Sequence, residues 1–238
     1  MAATIWLGLR QRTVVVNKRY HPDRPDETAG PVRCRSGAVS TGAALPDHRH
    51  RPIERSSPEA RHRAEYRWLA AASGHPVTVL ADVDFGRRTT VTRFAGSETA
   101  FSRLRPPSET ARLLGAVAAA LGALHRHHLV HGNLAGDHII VNGPRFVLCS
   151  PSGLVEDPAA DVMAFGPIIA VLCGRWQASG RSGPDTLTAW QEIASAALEP
   201  SMSADRLGTR LLGLARRSDR PSRHRWRRAG AGRATSSV

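Results

Sequence analysis

Cysteine is scarce in this chain, lysine is nearly absent, and no long apolar run occurs. Cys34, Cys149 and Cys173 are the only three cysteines in 238 residues. An odd number without CxxC spacing gives neither a closed disulfide framework nor a zinc-ligand pattern. Reduced thiols in a cytoplasmic protein are the expectation. No stretch of about eighteen or more consecutive apolar residues is present, so no membrane span is expected. Met1–Leu9 carries no early basic cluster and does not read as a signal peptide. The shortage of lysine also changes what the charge means. The formal net charge is +13 and the sequence pI about 11.4, a balance that often marks nucleic-acid or acidic-membrane contact. Here arginine, alanine, glycine and proline are abundant along the whole chain, so a bias of the coding sequence accounts for the charge, and nucleic acid is not an expected partner.

What is present suits a globular protein with a real core, at 41% hydrophobic residues. Thr4–Tyr20 reads as two short strands, the second around the β-branched run Thr13-Val14-Val15-Val16. Residues 21–57 are rich in proline, glycine, arginine and histidine, and are expected to be a loop or disordered insert. A helix is expected over Pro58–Ser73, where Ala64, Trp68, Leu69 and Ala72 fall at helical spacing. Two strands follow, Val77–Asp84 and Thr89–Phe94. The clearest helix is Ser108–His127, with Ser108 as its expected N-cap and Leu113, Leu114, Val117, Ala120, Leu121 and Leu124 as its stripe. Leu129-Val130 is expected to be a short strand. Ile139-Ile140-Val141 and Phe146-Val147-Leu148 flank Asn142-Gly143-Pro144 as a hairpin. Asp161–Cys173 reads as a buried helix, and Leu187–Leu198 and Arg206–Arg216 as two more. The tail, residues 216–238, offers little to bury and is expected to be disordered. Strands, helix, strands and then mostly helices make an α+β pattern.

The segment from Leu121 to Val141 closely resembles the catalytic-loop region of protein kinases. There a helix ending in Leu-His leads to a His-x-Asp-Leu-x-x-x-x-Asn loop and an apolar strand. The corresponding residues here are Leu124-His125, His131-Gly132-Asn133-Leu134, His138 and Ile139-Ile140-Val141. Ala64-Glu65-Tyr66-Arg67-Trp68-Leu69, followed by Gly74-His75-Pro76, is similar to the family's αC helix and the His-Pro after it. Val14-Val15-Val16-Asn17-Lys18 resembles the third strand with its lysine. Val91–Ser97 is similar to the hinge between lobes, and Asp161–Gly166 to the start of the long buried C-lobe helix. The resemblance spans about residues 4 to 215 and is closest in style to bacterial serine/threonine kinases. It implies a two-lobed fold, with a reduced β-rich N-lobe over 1–96 and a helical C-lobe over 97–215.

The same resemblance shows what the chain has lost. Phosphoryl transfer is mainly positioning plus electrostatics. Asn133 stands where the family has its catalytic carboxylate, and an amide cannot act as a base. His138 stands where the family has a magnesium-binding Asn, and imidazole suits borderline metals better than Mg²⁺. Cys149-Ser150-Pro151-Ser152-Gly153 occupies the Asp-Phe-Gly region without a carboxylate. Asp137, Glu156 and Asp157 are the nearest substitutes in sequence. Only Gly8 precedes Lys18 where a glycine-rich phosphate loop would be, and Leu154–Ala160 is a very short activation segment. Lys18 and Glu65 retain the pair that in kinases grips the nucleotide phosphates and fixes αC. His131 is implied to be structural, Asp161 to be a buried carboxylate holding the loop's backbone N–H groups, and Gly166 to be structural. No metal site is expected from the His125, His127, His128 and His131 cluster, because the expected strand breaks the helical register.

The expected function is therefore that of a pseudokinase, a catalytically impaired kinase-like binding or regulatory module. Residual ATP binding is compatible with this expectation but not required by it, Mg²⁺ is doubtful, and the partner is an unidentified protein recognised by the C-lobe. Two alternatives stand beside it. One is an active serine/threonine or small-molecule phosphotransferase with non-standard residues. The other is nucleic-acid or acidic-surface binding through the tail Arg216–Arg233, which has an isolated Trp226 and no aromatic interleaving.

Overall fold

The computed structural model describes residues 3–10, 13–21 and 57–218. The expected insert, apart from His21 and Ser57, and the tail beyond Ser218 lie outside the described residues. Strands β1 (Ala3–Arg10) and β2 (Thr13–Tyr20) pair antiparallel in unbroken register, from Ala3 opposite Tyr20 to Arg10 opposite Thr13. With β3 (Leu80–Asp84) and β4 (Thr89–Arg93) they form a four-stranded antiparallel sheet of order β1-β2-β4-β3. Side chains alternate across a strand. Val14, Val16, Lys18 and Tyr20 of β2 therefore share one face, and Val15 and Asn17 lie on the other.

Helix α1 (Pro58–Ala71) begins with Ser57 as its N-cap, whose hydroxyl accepts from the Ala60 N–H at 3.2 Å. Pro58 occupies the first turn, where its missing N–H costs nothing. The helix ends at Ala71, two residues short of the sequence expectation. Its buried side includes Arg61, His62, Glu65, Trp68 and Leu69, which fall at three- and four-residue spacing. This side turns toward the sheet at one end and toward the helical core at the other.

Helix α2 (Pro107–Arg126) runs through the middle of that core. It does not start on a side-chain cap. Pro106 precedes it, and Ser108 sits within the first turn rather than at the N-cap. A proline at N1 presets φ for the helix, and its missing N–H is one that would have no intrahelical partner anyway. Leu129 and Val130 form no strand, although Val130 is buried. His128 turns left-handed at φ 58° and sends this segment directly into the loop. A single 3₁₀ turn, Gly136–His138, leads to the hairpin β5 (Ile139–Asn142) and β6 (Arg145–Leu148). Gly143 supplies the left-handed turn at φ 59°.

The expected Asp161–Cys173 helix is two abutting pieces, α3 (Ala159–Met163) and α4 (Phe165–Ala178). By length and composition alone, Ala159–Ala178 is apolar enough to cross a membrane, but half of it is buried inside the structure. Here it is a core element. Phe165, Ile168, Ile169, Leu172 and Trp176 are buried in one cluster with α2 and with the last two helices. These are α5 (Pro184–Ala197) and α6 (Ala204–Ser218). Helix α6 thus extends through residues 216–218, which the sequence reading gave to the tail. Its close crossing with α2 depends on two glycines: a Cβ on Gly208 would lie 3.2 Å from the Gly115 carbonyl oxygen. The architecture is mixed α+β, with a small antiparallel sheet, a separate hairpin and a helical core.

Candidate functional site

The site is built where β2, α1, the loop after α2 and the segment after β6 converge. On β2, Lys18 and Tyr20 are two residues apart and face the same way, toward α1. Both reach Glu65, which is 3% exposed. Lys18 Nζ lies 2.8 Å from Glu65 Oε1, and the Tyr20 hydroxyl donates to Oε2 at 2.8 Å. The ammonium also sits 4.9 Å from the centre of the Tyr20 ring. Both oxygens of a buried carboxylate are thereby satisfied by charge-assisted bonds. Burial alone would lower the Lys18 pKa, but the charges and hydrogen bonds of Glu65 and Tyr20 together outweigh it and hold the amine above its ordinary range. Burial, then the Glu65 charge, raises the Tyr20 phenol, so it stays a proton donor.

Asp161, on α3, is completely buried and anchors the loop. Its Oδ2 accepts from the His131 N–H at 2.8 Å, and its Oδ1 from the Gly132 N–H at 2.7 Å. His125 Nε2, from the last turn of α2, lies 2.9 Å from Oδ2. The loop can fold this way because Gly132 takes φ +66°, and a Cβ there would come within 2.6 Å of Val155.

His131 is also fully buried. Its partners fix the tautomer: Nε2–H donates to the Cys149 carbonyl at 3.1 Å, and Nδ1 accepts from the Asn133 N–H at 3.3 Å. Burial pushes its pKa down to about 4, against the pull of Asp161. The Trp68 ring meets His131 edge-on at 5.7 Å, which connects α1 to the loop. A second connection comes from Gly153, at φ +65°. A Cβ there would lie 2.5 Å from the Ala64 backbone, one residue before Glu65. Ser152 donates its N–H to the His131 carbonyl at 2.8 Å. Helix α1, the loop and the segment after β6 are therefore one interlocked unit.

Asn133 is exposed and its amide donates to the Ser150 carbonyl at 2.9 Å, so it ties the loop to the segment after β6. His138 turns its Nδ1–H onto the Asn133 carbonyl at 2.6 Å. Burial lowers its pKa, and the Lys18 charge adds to this. Asp137 Oδ1 accepts from the Thr99 hydroxyl at 3.2 Å. Asp157 Oδ1 accepts the Ala159 N–H at 2.9 Å, at the start of α3. Gly166 lies outside this constellation, where a Cβ would stand 3.2 Å from Leu198 at the α4–α5 contact.

The structure therefore brings together Lys18, Glu65, His131, Asn133, His138 and Asp161. Sequence reasoning missed Tyr20, His125 and Trp68. The signal for Tyr20 was its position two residues from Lys18 on one strand face. In the sequence, His125 reads only as part of the Leu-His that ends its helix and of the histidine cluster, and Trp68 only as an apolar position of α1. Among the described residues, no group of three or more His, Cys, Asp or Glu side chains is gathered as for a metal. No protein-family model matches the sequence, and no curated protein matches it significantly.

Chemically, the two buried carboxylates of the site are already engaged. Glu65 is occupied twice and Asp161 three times. What the site offers is one buried-rooted ammonium, an exposed amide and an imidazole.

Proposed function

We propose that this protein is a two-lobed, kinase-like binding module that retains a nucleotide-gripping lysine but lacks the groups for phosphoryl transfer. One observation carries the reading. Lys18, the only lysine in the chain, is paired with Glu65, while the loop held by Asp161 presents Asn133 where a base would be needed. In a chain whose other basic side chains are arginine, a lysine here suits a compact, strongly hydrated point charge rather than a planar fork. The order β1-β2-β4-β3 and the packing of α1 against β2 support the assignment of the sheet and α1 to the N-lobe. The single core of α2, α4, α5 and α6 supports the C-lobe. Asn133 acts as a loop-shaping amide, and His131 as an internal strut. Interaction with a protein partner is the output, and nucleotide occupancy reports to it through α1.

Thermal unfolding with and without ATP, on wild type and Lys18→Met, tests this reading. At a ligand concentration about 100 times Kd, stabilisation is about 2.7 kcal/mol, or roughly 5–10 °C in Tm for a chain of this size. The shift is expected in wild type and absent in Lys18→Met. A shift of equal size in both would refute the role given to Lys18.

A further inference from the structure

Resting on that nucleotide reading, we propose that the cleft takes the polyphosphate of a nucleoside triphosphate without a divalent cation. A kinase-like fold implies Mg²⁺, and the residues here do not fit it. Mg²⁺ demands near-octahedral oxygen ligands and is held through carboxylates and phosphates. The two buried carboxylates of the site are already engaged. Glu65 receives Lys18 on one oxygen and Tyr20 on the other. Asp161 is fully buried under the N–H groups of His131 and Gly132 and the ring of His125. Asp137 takes the Thr99 hydroxyl, and Asp157 takes the Ala159 N–H.

The positions that face the loop opening carry other chemistry. Residues 149–153 contain no carboxylate. Ser150 already accepts from Asn133 through its carbonyl. His138 offers an imidazole with its Nδ1–H bound to the Asn133 carbonyl. Lys18, held by Glu65 next to the point where Gly153 packs on the Ala64 backbone, supplies the ammonium on this side. A divalent cation entering there meets the Lys18 ammonium and gains no carboxylate from Glu65, Asp161 or residues 149–153. An uncomplexed triphosphate meets that charge with its own.

The test is calorimetric titration of the full chain with ATP in EDTA and again with excess MgCl₂. Lys18→Met serves as the variant that removes the site's charge. The expected result is binding in EDTA that weakens by about tenfold with Mg²⁺, the equivalent of one charge-assisted contact, and that is lost in Lys18→Met. Equal or tighter binding with Mg²⁺ would overturn the metal-free proposal while leaving the nucleotide reading intact. Absence of binding in both buffers, with the protein folded by circular dichroism, would overturn both. Binding retained in a folded Lys18→Met would place the nucleotide elsewhere and overturn both as well.

Discussion

Asp161→Asn is the most informative single change for the architecture of the loop. The carboxylate accepts from three donors: two backbone N–H groups at 2.8 and 2.7 Å and His125 Nε2 at 2.9 Å. An amide of the same shape keeps one oxygen. Its NH₂ group then faces a donor, so at least one buried N–H loses its partner. An unsatisfied buried donor costs about 1–3 kcal/mol, and bonds to a charged group contribute about 1.5–3 kcal/mol each, roughly twice neutral ones. Losing the charge assistance and orphaning one donor together cost about 4 kcal/mol. For a chain of this size that is a fall of roughly 8–16 °C in Tm. Differential scanning calorimetry measures it. Hydrogen exchange at the His131 and Gly132 amides reads the local effect, which should be a loss of protection. His125→Ala removes only one of the three bonds and should cost about 1.5–3 kcal/mol. A fall of less than about 3 °C for Asp161→Asn would refute the idea that this carboxylate holds the loop.

Three other outcomes follow from the same geometry. His131 is held neutral, with its pKa pushed down to about 4 in the fold against about 6.5 when unfolded. Its contribution is complete above about pH 6.5 and is lost as pH falls toward 4, roughly 3 kcal/mol in all. Denaturant unfolding between pH 7 and 4 should show this slope, and its absence would mean that His131 is not buried as described. Tyr20→Phe leaves Glu65 Oε2 without its donor and should cost about 2 kcal/mol, read as a lower denaturant midpoint at unchanged slope. Gly153→Ala forces a Cβ to 2.5 Å from the Ala64 backbone at φ +65°, so it should lower Tm by more than a typical surface substitution, about 3 kcal/mol or greater. A neutral result there would show that the segment after β6 does not press on α1.

Much of this arrangement was legible in the sequence because it is local. The β-branched run before Lys18 and the apolar spacing of Trp68 and Leu69 reflect the two periods of strand and helix. The Asn142-Gly143 turn announces its own left-handed backbone. The juxtaposition of Lys18 with Glu65 and of Asp161 with the loop came from resemblance. It was not written in periodicity, since these pairs are 47 and 29–30 residues apart. The misjudged features were those that tertiary packing decides. Leu129-Val130 has strand-like residues, but the left-handed turn at His128 and the anchoring of His131 leave it no strand partner. Ser108 has the side chain of an N-cap, but Pro106 and Pro107 start the helix first. The break at Ala164 and the reach of α6 to Ser218 depend on contacts that no single segment displays. The role of His125 was not legible because a histidine near a helix end reads as a solvated residue until Asp161 is found beside it.

Because Lys18 is the only lysine, its reactivity can be read without ambiguity from any other side-chain amine. The decisive measurement treats the folded protein with an amine-reactive acyl phosphate of ATP and maps the adduct by peptide mass spectrometry. A nucleotide-gripping Lys18 gives an adduct on that residue, and excess unmodified ATP suppresses it. If Lys18 remains unmodified, or is modified to the same extent with and without competing ATP, the lysine is only a strut for α1 and the site is not a nucleotide cleft.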